Sequence, residues 1–111
     1  MIMNTLMIGW TTVATKDAAH ELAQAIVEKN LAACVHIEGP IIAVYHWQGR
    51  IQNDQEFRLM IKFPEKNEKA LEKFIHDNHP YETPQWVTVK ADSVAPEYLK
   101  WAYEVAKAGG S

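Results

Sequence analysis

The sequence predicts an α+β domain in which two helices cover one face of an antiparallel sheet and a third helix follows. Apolar residues alternate with polar ones in four segments, as in half-buried strands, and recur at helical spacing in three others. These segments follow one another in the order β-α-β-β-α-β, with an additional C-terminal helix. With right-handed crossovers this order gives the split βαβ, or ferredoxin-like, arrangement. The 111 residues are expected to form a single domain, 1–111.

The first strand is expected from Leu6 to Val13, where β-branched and aromatic residues alternate. A helix begins at Lys16, because apolar residues then fall at helical spacing. Thr15 is placed to act as its N-cap, and Asn30 is placed to end it in a left-handed conformation.

A long hairpin is expected next. A short strand from Ala33 to Ile37 is interrupted by Glu38-Gly39-Pro40, which indicates a bulge, a bend or an edge position. Extended structure then resumes from Ile41 to Trp47. Gln48-Gly49 predicts a tight turn, and the returning strand runs to Phe63, where Pro64 ends it.

The second half is predicted to contain a helix from Glu65 to Asp77 and a proline-stiffened loop over residues 79–84. A fourth strand from Gln85 to Ala91 and a third helix opened by Pro96 complete the fold. Gly109-Gly110-Ser111 are expected to form an irregular end.

The predicted hairpin is longer than a four-stranded sheet requires, and two helices cover only one sheet face. Five apolar residues lie on its other face or at its tip, a pattern that indicates an interface between chains. They are Ile41, Ala43, Tyr45, Trp47 and Ile51. The alternative is that the third helix folds over this face; composition favours association without fixing the number of copies.

The composition limits the classes of partner and the cellular compartment that we expect for this protein. The net charge is −3 with charges of both signs interspersed, which argues against a nucleic-acid partner. Cys34 is the only cysteine, so no intramolecular disulfide is expected. The apolar N-terminus lacks the features of a signal peptide, and no run reaches the roughly 18 apolar residues of a membrane helix. We therefore expect a cytoplasmic protein with no membrane partner.

Two groups of side chains are candidate metal ligands. His79 lies on the stiff loop, and Pro80 restricts it to extended conformations, which fixes the direction of an imidazole suited to copper or zinc. A structural role for His79 in the loop is an equal alternative. Cys34 and His36 project from one side of a strand, with His46 as a further donor. A small buried cysteine is the more frequent arrangement, so Cys34 is the weaker candidate.

Several motifs occur in a fixed order along nearly the whole chain. They are Leu31-Ala32-Ala33-Cys34-Val35, Tyr45-x-Trp47-x-Gly49, Glu56 through Ile61-Lys62, His79-Pro80-Tyr81-x-x-Pro84, and Tyr98-Leu99-x-Trp101. Together they resemble the CutA divalent-cation-tolerance family. The resemblance implies a non-catalytic homotrimer whose long hairpins pair across subunits, with a role in tolerance or binding of divalent metals such as copper.

The resemblance also implies where ligands would bind. Metal-binding members use a first-strand cysteine and histidines at or just before the HPY motif; this chain has Thr11 and Asn78 at those positions, and Gln85 where a glutamate is common. Copper or zinc binding is therefore expected to be weak, and no cofactor is required. A second implied feature is a polar cleft between subunits, for which Trp47, Glu56, Lys62 and Tyr81 are the candidates; an interface ion pair between Glu56 and Lys62 is the alternative.

Two other functions are compatible with this fold. A small-molecule-sensing trimer that resembles the P-II signalling proteins would bind a ligand between subunits, but the Gly49 turn is too short to enclose a nucleotide. An enzyme of the acylphosphatase kind would need an arginine and a phosphate-binding loop after the first strand. Residues 11–16 provide neither, so no catalytic residue is predicted.

Overall fold

The computed structural model describes residues 4–107. The predicted single domain, 1–111, and the predicted irregular end over residues 109–111 extend outside the described residues. The elements, in chain order, are β1 (Leu6–Val13), α1 (Lys16–Glu28), β2 (Cys34–Trp47), β3 (Arg50–Pro64), α2 (Glu68–Asn78), β4 (Val87–Lys90) and α3 (Pro96–Val105). The predicted α+β class and element order are confirmed.

The four strands form one antiparallel sheet in the order β2-β3-β1-β4. This is the strand order of the predicted split βαβ arrangement. The main core lies where Leu59, Ile61 and Phe63 of β3 pack against α1 and α2. On the other face, α3 packs in a smaller cluster that contains Leu6 and Ala102. Among the described residues, that cluster does not include the hairpin. Of the hairpin residues predicted to lie at an interface, Tyr45, Trp47 and Ile51 are exposed in the single chain and Ile41 and Ala43 are half-buried.

The caps of α1 agree with the sequence. Thr15 Oγ1 accepts a hydrogen bond from the Ala18 amide at 3.1 Å. Asn30 has a φ of 58°, and the Leu31 amide donates to the Ile26 carbonyl at 3.1 Å. Both ends of the helix are therefore fixed by local chemistry.

The hairpin contains one long strand where the sequence predicted two. β2 continues through Glu38-Gly39-Pro40, and the interruption is a bulge: Gly39 and Pro40 lie opposite one β3 residue. The Gly39–Pro40 peptide bond is cis. At the other end, Gln48 and Gly49 have φ values of 50° and 74°, which confirms the predicted tight turn.

Two boundaries differ from the sequence prediction. β4 is shorter, because only residues from Val87 to Lys90 pair with β1. The predicted helix from Glu65 begins as a 3-10 turn, Glu65–Asn67, before α2. Asn67 is buried there and its side-chain amide donates to main-chain carbonyls outside α2, so tertiary contacts determine this start.

Pairing in the hairpin gives it two distinct faces. On the face that we call the aromatic–acidic face, β2 residues Ala43 and Tyr45 pair with Asp54 and Gln52. The other, which we call the aliphatic face, carries Ile42, Val44 and Ile51. These three are the most exposed large apolar side chains of the described residues, at 69%, 64% and 59%. The sequence prediction named Ile51 among residues of the other face or the tip; it lies next to the tip, where it pairs with His46 on the aliphatic face.

Candidate ligand cleft

A cleft of about 840 Å³ lies between the aromatic–acidic face of the hairpin and the loop before β4. The volume falls within the range of small-molecule sites. Strand, loop and the end of β1 all contribute to its wall. Its lining residues are Thr12, Ala14, Ala43, Val44, Tyr45, Trp47, Asp54, Gln55, Glu56, Tyr81, Glu82, Thr83 and Gln85.

Glu56 and Tyr81 join the hairpin to the loop. The Tyr81 hydroxyl donates to Glu56 Oε2 at 2.9 Å. Glu56 is buried, with only 8% of its surface exposed. Burial, together with the hydrogen bond to Glu56, raises the pKa of Tyr81. Tyr81 therefore stays a hydroxyl donor at neutral pH, and Glu56 is held in a fixed position at the cleft wall.

A second phenol and carboxylate pair lies within the hairpin. The Tyr45 hydroxyl donates to Asp54 Oδ2 across the aromatic–acidic face. This hydrogen bond, with a smaller contribution from burial, raises the pKa of Tyr45. The cleft thus contains two carboxylates that are each oriented by a tyrosine.

His79 uses both ring nitrogens within the fold. Nδ1 accepts from the Tyr81 amide at 3.0 Å, so Nε2 carries the proton and donates to the Thr12 carbonyl at 2.8 Å. Burial lowers the pKa of His79, against the opposing effects of the Thr12 hydrogen bond and the Glu56 charge. A metal ion at either nitrogen would have to replace one of these hydrogen bonds. The structural role weighed for His79 is observed; its role as a metal ligand stays a prediction.

The three positions that differ from the metal-binding pattern lie near His79 or the cleft. Thr11 is fully buried beside Thr12, and its hydroxyl has no hydrogen-bond partner among residues 4–107. Asn78 donates from its side chain to the Phe74 carbonyl at 2.8 Å. Gln85 lines the cleft. Neither Thr11 nor Asn78 offers a side chain that copper or zinc prefers.

The structure does not bring Cys34 and Lys62 to the cleft. They are cross-strand partners at the other end of β3, where Lys62 Nζ lies 5.3 Å from the centre of the Tyr98 ring on α3. His36 pairs with Met60, and His46 lies near the hairpin tip, far along β2 from Cys34. Within residues 4–107, no group of three or more histidine, cysteine, aspartate or glutamate side chains could hold a metal ion. Cys34 as a ligand also stays a prediction.

The family resemblance grouped Trp47, Glu56 and Tyr81 in a cleft between subunits. All three line this cleft of the single chain, and a position between subunits stays a prediction. Sequence reasoning missed Tyr45, Asp54 and Glu82. A signal for Asp54 was present, because residues two apart on a strand share a face and Asp54 precedes Glu56 by two. Glu82 lies in a loop, where spacing gives no such indication.

Fold and cleft define a small α+β protein with a four-stranded antiparallel sheet and an acidic, aromatic cleft. A family model described as CutA1 divalent ion tolerance protein matches residues 7–105. The chain therefore belongs to the CutA1 divalent ion tolerance family.

Relatives and solved structures agree with this assignment. The chain is 33% identical over 106 residues to Protein CutA of Mus musculus, covering 96% of this chain and 60% of that protein. It is 36% identical over 93 residues to the divalent-cation tolerance protein CutA of Thermus thermophilus, covering 84% of this chain and 90% of that protein. A relative from Arabidopsis thaliana, 34% identical over 95 residues and covered for 52% of its length (86% of this chain), is named chloroplastic.

The crystal structure of CutA1 from Oryza sativa superposes with a TM-score of 0.90 at 33% identity, covering 93% of this chain and 94% of that one. The structure of CutA1 from Thermus thermophilus superposes with a TM-score of 0.88 at 32% identity, covering 92% of this chain and 99% of that one. In residues 4–107 there is no helix of the length and apolarity that crossing a membrane requires.

Proposed function

We propose that this chain acts in the tolerance of, or response to, divalent cations as a cytoplasmic homotrimer without catalytic activity. The observation that carries the cation role is family membership over residues 7–105. Copper is the cation that the family resemblance implies as an example. No nucleic acid or membrane partner is proposed, since the chain is acidic overall.

The aliphatic face of the hairpin supports assembly. Ile42, Val44 and Ile51 are exposed on a ribbon that makes the molecule 50 Å long but only 26 by 21 Å across. A two-stranded ribbon of this length is marginal by itself, and the outer edge of β2 is unpaired within the described sheet. Copies of the chain would bury the aliphatic side chains and satisfy that edge.

Sedimentation of the chain at micromolar concentration tests the assembly, with a trimer expected. Val44→Glu places a charge on the aliphatic face and should dissociate the trimer, because an unpaired carboxylate is costly to bury. Val27→Glu is the matched control: Val27 is also exposed, at 41%, but lies on α1. A monomeric parent chain, or equal dissociation by both variants, would refute this part of the proposal.

For the metal, we propose weak binding of copper or zinc, with His79 as the first candidate and Cys34 as the second. Calorimetric titration with copper should give low affinity, because His79 must give up a hydrogen bond to bind. His79→Ala should weaken binding further, and His76→Ala, on the exposed side of α2, should not. Unchanged affinity in His79→Ala would move the site, first to Cys34.

The cellular role is tested by copper sensitivity. Cells that lack the chain should grow less well than the parent in copper-containing medium, and the intact gene should restore growth. Equal growth with and without the chain would contradict the tolerance role. The P-II-like sensor is not favoured by the comparisons.

A further inference from the structure

The cleft combines negative charge with aromatic surface. Three of its lining residues are carboxylates, Asp54, Glu56 and Glu82, and three carry aromatic rings. Among the described residues that line it, none is lysine, arginine or histidine. The charged groups in the lining would therefore all repel an anionic ligand. A cation that also carries an apolar group could interact with both the carboxylates and the aromatic rings.

Glu56 and Asp54 each have an oxygen available to a ligand. Glu56 Oε2 accepts from Tyr81, but no donor of the described residues bonds to Oε1. Asp54 Oδ2 accepts from Tyr45, and Oδ1 likewise has no donor within the described residues. Glu56 is more than nine-tenths buried. Oε1 is not enclosed by the described residues, since the Thr11 hydroxyl is the only buried side-chain atom without a partner among them. A largely buried carboxylate that keeps one oxygen open to the cleft can accept hydrogen bonds from a ligand that brings its own N–H donors.

The spread of the carboxylates argues against a single metal ion here. A hard cation such as Ca²⁺ needs six or so oxygen ligands converging on one point. Within the described residues, no three such side chains converge closely enough to hold a metal ion. A ligand that carries positive charges at separate positions matches this lining better than a single metal ion does.

We propose that this cleft binds an alkylammonium ligand of the diamine class. Glu56 and Asp54 accept hydrogen bonds from an ammonium group, and the alkyl chain packs against Tyr45, Trp47 and Tyr81. Glu82 is available to a second ammonium group. A quaternary ammonium ion, which has no N–H, leaves the carboxylate oxygens unmet and binds less tightly.

The carboxylates of this site are not the proposed metal ligands, although Tyr81 is hydrogen-bonded to His79 and Val44 of the aliphatic face also lines the cleft. Diamine binding, assembly and metal binding are measured separately, so each can fail alone. Glu56 and Asp54 lie on the aromatic–acidic face, whereas assembly is assigned to the opposite face of the same ribbon. His79 lies behind the cleft wall, bonded to Thr12 and Tyr81.

Calorimetry of the intact chain in its own oligomeric state tests the proposal with putrescine as the probe. We expect saturable binding with one site per chain that weakens with added salt. Butanediol, which has the same chain length without charge, should not bind, and tetraethylammonium should bind more weakly than putrescine.

Variants locate the site. Glu56→Gln keeps the shape and the acceptor for Tyr81, and should weaken putrescine binding about tenfold or more. Glu72→Gln, on the exposed side of α2, should leave it unchanged. Trp47→Leu should weaken binding, and Trp101→Leu on α3 should not. Circular dichroism and sedimentation would verify that each variant keeps the fold and assembly of the parent.

Three results would overturn the inference. The first is no binding of putrescine, and the second is equal binding by Glu56→Gln or by butanediol. The third is binding that emerges only in Arg50→Gln. Arg50 lies exposed at the hairpin tip, so that result would mean that the cationic tip of another copy already fills the cleft.

Discussion

The side-chain amide of Asn67 lies 2.9 Å from the main-chain oxygen of Ala106 and donates a hydrogen bond to it. The same Nδ2 donates to the Leu31 carbonyl at 3.1 Å. One buried amide therefore joins the turn that follows α1, the 3-10 turn before α2 and the residue that follows α3.

Replacement of Asn67 by alanine should lower the free energy of unfolding by about 2 kcal/mol or more, because two buried carbonyls lose their donor. Gln24→Ala, on the exposed side of α1, is the control and should change little. Denaturant titration at one fixed protein concentration measures both, since assembly contributes to apparent stability. A loss for Asn67→Ala no larger than for Gln24→Ala would show that water or rearrangement satisfies these carbonyls.

Substitution of Thr11 should change the free energy of unfolding in the opposite direction. Its hydroxyl is buried without a partner in the described part of the chain, so Thr11→Val keeps the side-chain shape and removes an unmet polar group. The variant should be more stable by about 1 kcal/mol. Thr88→Val should be less stable, because the Thr88 hydroxyl donates to Glu68 Oε2 at 3.0 Å. Thermal unfolding distinguishes them; destabilisation by Thr11→Val would indicate that this hydroxyl does have a partner.

Two hairpin glycines should differ in their tolerance of alanine. Gly39 has a φ of 152°, and an added Cβ would lie 2.6 Å from Phe57 Cδ2. Gly49 also has a positive φ, 74°, but an added Cβ meets nothing within 4 Å. Gly39→Ala should therefore cost at least about 1 kcal/mol more than Gly49→Ala, by denaturant titration. Equal costs would mean that strain alone, without the Phe57 contact, decides the outcome.

His79 predicts a loss of stability in mild acid. Burial lowers its pKa below the ordinary value of 6.5, so the unfolded chain binds the proton more readily than the folded one. The contribution of His79 is complete above the unfolded pKa and is lost as the pH falls from there towards the folded pKa. Protonation also ends the acceptance of the Tyr81 amide by Nδ1.

Unfolding free energies measured across this pH range should fall less steeply for His79→Gln than for the parent chain. His76→Gln, which changes an exposed histidine on α2, should follow the parent. If His79→Gln kept the parent slope, the acid sensitivity would have to come from another group.

Local chemistry allowed most of the fold to be predicted. Thr15, Asn30 and Gln48-Gly49 act through their own backbone neighbours, and each does in the structure what its residue type favours. The start of α2 could not be predicted in the same way. Asn67 there bonds to carbonyls that are 36 and 39 residues distant in sequence.

The cleft was predictable where it depends on strand periodicity and not where it depends on a loop. Trp47, Glu56 and Tyr81 line one cleft of the single chain, whereas Lys62, which was grouped with them and lies on the same strand face as Glu56, does not. An even spacing between two residues of a strand means that they share a face, but it does not mean that they lie close together along the strand. Lys62 lies six residues from Glu56 and contacts α3 instead.

The bulge at Gly39-Pro40 reverses the parity of β2 relative to β3. Before it, Val35 and Ile37 pair with odd-numbered β3 residues; after it, Ile41, Ala43 and Tyr45 pair with even-numbered ones. Without the additional residue, a regular ladder continued from Ile37 would set Ile42 opposite Asp54 and turn Tyr45 to the far side. A single inserted amino acid thus gives the ribbon one aliphatic face and one aromatic–acidic face. The proposed assembly and the proposed ligand binding therefore rely mainly on different surfaces.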